Sequence, residues 1–177
     1  ISNHKEEVDL GLELLFEELR SLKSQMQQFA SISIQKESAL IIHKLLEVAH
    51  CDLNKYYNNH TFLTMAVYNS LNDLAHILIQ NETVDINLVE QLTGNSPLMI
   101  AIQAGNKDLA QTLIDCPKVD LKITNYNNNT ALTLALSPKN SSLFTHLRPK
   151  LLKNVDQDQI NFAFYVADDD KAQLLIE

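Results

Sequence analysis

The six histidines are the residues in this 177-residue chain that could most readily bind a metal ion. His43 and His76 each lie nine residues before an aspartate, Asp52 or Asp85. They therefore occupy equivalent positions in successive units of the chain. Zinc needs several ligand atoms about 2 Å from one ion, which residues one unit apart cannot supply. His50 follows His43 by seven residues but has no third ligand near it. We predict a ladder of partly exposed histidines and no metal site.

Other chemical patterns are equally weak. The acidic run Asp168–Asp170 lacks the spaced oxygen ligands and the glycine of a calcium loop, and it is typical of a solvated turn. The sequence contains no glycine-rich phosphate loop, no nucleophile elbow and no His-Glu-x-x-His segment. We therefore predict no catalytic residue, no cofactor and no enzyme within these residues.

Cys51 and Cys116 are separated by 65 residues, which is about two of the repeating units described below. Because neighbouring helices pack roughly 10 Å apart, these sulfur atoms are expected to be too far apart for a disulfide. Two unpaired cysteines favour a reducing compartment such as the cytoplasm. We expect both to be small buried hydrophobic residues.

The charge balance limits the kinds of partner. The formal net charge is −8 and the sequence pI is about 5.2, whereas a nucleic-acid-binding surface needs clustered lysine and arginine. No apolar run approaches the roughly 20 residues of a membrane span. We therefore expect neither nucleic acid nor a membrane span. The chain begins with Ile1 rather than Met, so we expect a piece of a longer protein.

Three hexapeptides organise the chain and start 35 and 34 residues apart, which indicates a repeat architecture. Each opens with a hydroxyl residue that could cap a helix, and each has a leucine and an alanine on one helical face. An apolar stripe at helical spacing follows each unit, and an alternating segment such as Val84–Asn87 or Val119–Lys122 is expected to be extended. The hexapeptides are Thr61–Ala66, Ser96–Ala101 and Thr130–Ala135.

This order of signals resembles the ankyrin repeat, two helices and a β-turn in about 33 residues. Gly94–Ala101, with Gly105 after it, is the best match to the family pattern. The departures are a replaced histidine in each copy, at Thr64, Met99 and Thr133, and a replaced glycine at Ser70 and Lys139. Pro138 is expected to end the third inner helix early, and Pro149 to kink or divide the last outer helix.

The resemblance implies an all-α helical solenoid of helix-turn-helix repeats. We predict inner helices at about 61–69, 96–104 and 130–137, and outer helices at about 71–81, 106–115 and 140–152. The predicted units are a half repeat at 33–54, repeats at 55–87, 88–122 and 123–154, and a degenerate repeat at 155–177.

The segment 1–32 is predicted to contain an amphipathic helix, because apolar residues between Val8 and Phe29 are spaced by three or four. Two interpretations stay open. The helix caps the exposed end of the solenoid, or it pairs with another chain as a short coiled coil. Barely three heptads favour the cap and hence a monomer over a dimer.

In the ankyrin family, hairpin tips and inner helices form a concave face that binds other proteins. The resemblance therefore implies a protein partner. Tyr57, Leu92 and Tyr126 are expected to form an apolar row at the hairpin tips, although Tyr57 and Tyr126 could instead brace their own turns. The other candidate binding residues are Tyr56, Gln91 and Asn127 at the tips and Tyr68, Asn69 and Gln103 on the inner helices.

The sequence leaves alternatives to this interaction module. One is a structural or dimerising module that acts through the N-terminal helix. Another is a regulatory arm of an enzyme whose catalytic domain lies outside this fragment. The degenerate repeats and abundant asparagine also resemble bacterial effectors delivered into host cells, which would place the protein in the host cytosol.

Overall fold

The computed structural model describes residues 52–166, which form α-helices joined by turns and hairpins. Within this range the one β interaction is an isolated antiparallel bridge between Tyr57 and His60. The predicted all-α class is confirmed. The helices are α1 (Phe62–Tyr68), α2 (Asn72–Gln80), α3 (Pro97–Gln103), α4 (Lys107–Asp115), α5 (Ala131–Ala135), α6 (Ser141–Asn154) and α7 (Gln157–Val166), with a 3-10 helix at Pro138–Asn140.

The hydroxyl residues of the hexapeptides cap the inner helices as predicted. The hydroxyl oxygens of Thr61, Ser96 and Thr130 each accept a hydrogen bond from the backbone N–H three residues later, at 3.2, 3.4 and 3.2 Å. Thr64 and Thr133 also accept from the backbone N–H of their cap, at 2.7 and 2.8 Å. Two of the three residues that replace the family's histidine therefore complete reciprocal capping boxes.

Helices α1 and α3 end in the same type of turn. Gly105 has a φ of +69° and Ser70, at the matching position, has a φ of +53°. This left-handed conformation lets the next residue donate back to the helix, since the N–H of Asn106 lies 2.9 Å from the carbonyl oxygen of Ala101. Ser70 accepts a conformation that glycine adopts more easily.

The two prolines have different effects. Helix α5 has only five residues and is followed by the 3-10 helix that contains Pro138, so its early end is confirmed. Helix α6 continues through Pro149 to Asn154, so the expectation that Pro149 divides this helix is wrong. Pro149 lacks one backbone N–H donor, but its neighbours in the helix on both sides keep theirs.

The helices stack in two parallel rows, one inner and one outer. Helices α1, α3 and α5 pack side by side, α2, α4 and α6 form the second row, and α7 packs against α5. The leucine and alanine of each hexapeptide fill the space between helices, which explains why both recur. These residues are at most 1% exposed: Leu63, Ala66, Leu98, Ala101, Leu132 and Ala135.

The segment 52–55 and the turns that follow α2, α4 and α6 form one edge of the stack, which we call the loop edge (residues 52–55, 81–87, 116–122 and 155–156). The side chain of Asn87 donates to the Lys118 carbonyl and accepts from the Asp120 N–H, both at 2.8 Å. The side chain of Asn54 makes the same two kinds of hydrogen bond across the preceding joint. Lys122 occupies the next equivalent position and pairs with Asp156 instead.

The expected extended segments at the loop edge are turns. The Asp85 carboxylate accepts the N–H of Asn87 at 2.9 Å, and the Asp120 carboxylate accepts the N–H of Lys122 at 2.8 Å. An aspartate that bonds the backbone two residues later favours a turn over a strand. The alternation of polar and apolar residues therefore reflects these turns.

Candidate functional site

Three hairpins precede α1, α3 and α5 and form the hairpin edge (residues 57–60, 90–95 and 125–129). Each is closed by a hydrogen bond from the N–H of its first residue to the carbonyl of its last. The N···O distances are 2.7 Å for Tyr57–His60, 2.9 Å for Glu90–Asn95 and 2.9 Å for Asn125–Asn129. The enclosed loops therefore contain two, four and three residues.

Main-chain hydrogen bonds join each hairpin to the next. The Gln91 N–H donates to the Asn59 carbonyl and the Tyr126 N–H donates to the Thr93 carbonyl, both at 2.9 Å. The ring of Tyr126 lies over Gly94, where an added Cβ would come within 2.7 Å of the ring. Gly94 also has a φ of +73°, so this position combines a turn that suits glycine with close approach of the next hairpin.

The predicted apolar row at the hairpin tips requires a correction. Tyr57 is only 7% exposed and packs edge-on against Phe62, with ring centroids 5.4 Å apart. Leu92 and Tyr126 are each 66% exposed. Residues at the same distance before the helix caps are not equivalent here, because the three hairpin loops differ in length. Tyr57 braces its own turn, and Tyr126 braces the preceding hairpin.

The structural equivalents of Tyr57 are the first residues of the other two hairpins. Tyr57, Glu90 and Asn125 each lie five residues after an aspartate of the loop edge, at Asp52, Asp85 or Asp120. All three are buried. Counting forward from those aspartates would have found Glu90 and the role of Asn125, which the count from the caps missed.

The other residues predicted at the hairpin tips and on the inner helices differ in their exposure and hydrogen bonds. The hydroxyl of half-buried Tyr56 donates to the Val89 carbonyl at 2.8 Å. Burial, with added contributions from the charges of Tyr126 and Asp85, raises the pKa of Tyr56. The side chain of Asn69 donates to the Met65 carbonyl at the end of α1. The side chains of Gln91 and Asn127 are exposed at the tips.

A groove of about 420 Å³ lies between the first two hairpins and the ends of α1 and α3. It brings together three predicted residues, Tyr68, Leu92 and Gln103. Tyr68 is 65% exposed, and its ring lies 5.4 Å from that of His60. The residues that line the groove are His60, Tyr68, Glu90, Leu92, Thr93, Asn95, Ile100, Gln103 and Ala104.

Glu90 shapes the wall of this groove and is only 4% exposed. Its carboxylate accepts the N–H groups of Leu92 and Thr93, both at 2.7 Å, and the hydroxyl of Thr93. Burial alone would raise the pKa of Glu90. The hydrogen bonds from Thr93 and from the backbone outweigh this effect, so the pKa lies below its ordinary value. Glu90 therefore holds the four-residue loop as an ionised carboxylate.

A chain of side-chain amides runs from the third hairpin into the groove. The side-chain oxygen of Asn125 accepts the N–H groups of Asn127 and Asn129. Its Nδ2 donates to Asn95 Oδ1 at 2.8 Å, and Asn95 Nδ2 donates to Gln103 Oε1 at 3.1 Å. Asn95 and Asn125 are both buried, so the chain links two repeats beneath the surface of the hairpin edge.

Among the residues that could bind a metal ion, His76 lies on the outer row of helices and not at the groove. His76 on α2 is half-buried and its Nε2 lies 3.0 Å from Asp108 of α4. Within residues 52–166 no three histidine, cysteine or acidic side chains are grouped to hold a metal ion. Cys116 is a half-buried free thiol. His43, His50, Cys51 and the run Asp168–Asp170 lie outside the described residues.

Some predictions concern regions that the structure does not describe. The N-terminal helix, the half repeat before residue 52 and the chain after residue 166 are in this group, so the capping and dimerising roles stay predictions. Across residues 52–166, no helix combines the length and apolar character that crossing a membrane requires.

A family model described as "Ankyrin repeats (3 copies)" matches residues 30–125 and 63–161. A curated relative, the I-Kappa-B like protein C1 of Microplitis demolitor bracovirus (isolate Webb), is 39% identical over 72 residues. That match covers 40% of this chain and 41% of the viral protein. These findings point to a binding module, and the predicted bacterial origin stays a prediction. Because the family model covers most of the sequence, and the helices stack as the repeats require, this chain belongs to the ankyrin repeat family.

Proposed function

We propose that this chain is a regulatory binding module that holds a protein partner against the groove and the exposed tips of its hairpin edge. Ankyrin repeats generally mediate protein–protein interaction, and the similarity to an I-Kappa-B like protein supports a regulatory role. Tyr68 and Leu92 would contact the partner at the groove and Tyr126 at the next hairpin. Gln91, Gln103 and Asn127 would supply polar contacts around them.

One observation carries this proposal. Among the described residues, four large hydrophobic side chains are exposed, and three of them, Tyr68, Leu92 and Tyr126, lie along the hairpin edge or the adjoining end of α1. Exposed apolar groups that cluster around a groove are typical of interaction sites, and tyrosine is a common anchor of binding energy. The fourth, Tyr165 on α7, does not line the groove.

The test compares two sets of exposed side chains. The triple variant Y68A/L92A/Y126A removes the proposed anchors, and Y165A removes an exposed tyrosine elsewhere. Each protein is immobilised and incubated with a cytosolic extract, and retained proteins are quantified by mass spectrometry. We expect at least one protein to be retained by the wild type and Y165A and lost from the triple variant.

The helical circular dichroism of each variant serves as the control for folding. Because all four side chains are exposed, and the contact of Tyr126 is with a hairpin and not with a helix, we expect the helical signal to be unchanged. If the folded triple variant retained the same proteins in the same amounts as the wild type, the hairpin edge would not be the binding site.

A further inference from the structure

The amide chain beneath the hairpin edge fixes the direction of every hydrogen bond in it. Backbone N–H groups can only donate, so the side-chain atom of Asn125 that they contact must be its oxygen. The Asn125 nitrogen then donates to the Asn95 oxygen, and the Asn95 nitrogen donates to Gln103 Oε1. The acceptor of the Gln103 amide is therefore used inside the protein.

The other end of that amide remains for a ligand. Gln103 Nε2 makes no hydrogen bond to any residue in the described range, and Gln103 is exposed at the rim of the groove. Gln103 Oε1 already accepts from Asn95, and the Nε2 donor is open to a ligand. An oxygen acceptor of the ligand would pair with this donor, and the main-chain carbonyl of an extended peptide is one.

The groove is also almost free of charge, although the chain carries 22 acidic and 14 basic residues. Glu90 is the one charged residue in its lining, and hydrogen bonds from its own loop occupy both oxygens. Lys139 does not line the groove, and its Nζ donates to the Gln103 main-chain carbonyl at 3.2 Å. A charged ligand would lose hydration on entering the groove, and the Glu90 carboxylate, which is only 4% exposed, is too buried to form a direct ion pair with it.

On the basis of the proposed function, we infer that the groove binds an extended, uncharged segment of the partner. One large apolar side chain of that segment enters between Tyr68 and Leu92. A main-chain carbonyl next to it accepts a hydrogen bond from Gln103 Nε2. The groove therefore selects a neutral peptide by one apolar contact and one directional hydrogen bond.

The test uses a phage-displayed library of random linear peptides selected on the folded chain. We expect enriched peptides with a large apolar residue flanked by uncharged residues, and their affinity should change little with salt. The variant Q103E keeps an acceptor for Asn95 but loses the donor, so it should weaken binding by about tenfold. Q80E on the exposed end of α2 adds the same charge and should leave affinity unchanged.

The outcomes separate this inference from the proposed function. Enriched peptides that are charged, or peptides that bind Q103E as tightly as the wild type, would overturn the inference and leave the binding site in place. A library that yields no groove-dependent peptide would also overturn it. Peptides that bind the folded Y68A/L92A/Y126A variant unchanged would count against the proposed function itself.

Discussion

The hairpin edge and the loop edge both join neighbouring repeats, but they leave different groups in contact with solvent. At the hairpin edge, main-chain hydrogen bonds and buried amides make the joints, and the exposed groups include Leu92 and Tyr126. At the loop edge, asparagine side chains and an ion pair make the joints. Exposed charged residues surround them, such as Asp85, Lys118 and Asp120.

Under the proposed function, this difference explains how one stack can be stable along both edges and bind a partner along only one of them. The hydrogen bonds that make these joints lie within the protein, so neither set of joints depends on a partner. Charged side chains keep the loop edge hydrated and discourage association there. The hairpin edge instead exposes the apolar groups Leu92 and Tyr126, and for this reason we propose it as the binding side.

The largest effect is expected at the buried amides of the hairpin edge. Asn125→Ala removes one side-chain hydrogen bond that joins two hairpins and two that hold the third hairpin itself. It should lower the free energy of unfolding by about 3 kcal/mol, because buried partners are left unsatisfied. Urea denaturation followed by circular dichroism measures this loss. Asn127→Ala, at an exposed position nearby, is the control, and equal losses in the two variants would refute the role of the amide chain.

The carboxylate of the second hairpin should have the next largest effect. Glu90→Gln places an amide donor opposite N–H donors and should cost about 2 kcal/mol at neutral pH. The pKa of Glu90 is lowered in the folded state, so its stabilisation is complete above the pKa of the unfolded chain and is lost as the pH falls through the folded pKa. The difference between wild type and variant should therefore shrink in acid.

Urea denaturation at a series of pH values checks this expectation. Asp115→Asn is the matched control, since the hydrogen bond from Lys150 also lowers the pKa of Asp115 but this carboxylate is about half exposed. Its effect should be smaller at every pH. A pH-independent difference between the wild type and E90Q would show that Glu90 does not act as an ionised acceptor.

The amide joint of the loop edge should be weaker than that of the hairpin edge. Asn87→Ala removes two hydrogen bonds in a partly exposed position. The expected loss in unfolding free energy is about 1 to 2 kcal/mol, measured by urea denaturation. A loss larger than that of N125A would reverse the proposed ranking of the two edges.

The smallest effect is expected at the ion pair that replaces the amide joint. Lys122 and Asp156 are exposed, with 68% and 38% of their side-chain areas accessible. Lys122→Ala should therefore lower stability less than N87A does. The difference in stability between the wild type and K122A should vanish as salt screens the charges. Thermal denaturation at low and high salt measures it. A salt-independent loss would mean that Lys122 acts through packing.

Much of the stack could be predicted from the sequence because its determinants are local. A hydroxyl residue before a helix, as at Thr61, and an alanine on one helical face, as at Ala101, act within one turn of the chain. The replacement of the family's histidine at Thr64 also had a local explanation, since two threonines three residues apart can cap one another. These signals placed all three inner helices.

The hairpin edge could be predicted only in part, because its register depends on the lengths of three loops. A count back from the cap at Thr61 made Tyr57 an exposed equivalent of Leu92, and the structure buries Tyr57. The partnership of Asn95 with Gln103 joins a hairpin to a helix end across eight residues, and no local pattern reports it. Tertiary packing decides these positions.

The central claim is that the partner binds the hairpin edge and not the loop edge. A photo-cross-linking amino acid placed in turn at Leu92, Tyr126, Glu82 and Lys118 tests this directly, since all four side chains are exposed. After irradiation in extract, we predict covalent adducts with one protein from positions 92 and 126 and none from 82 and 118. Adducts with that protein from the loop edge alone would contradict the account.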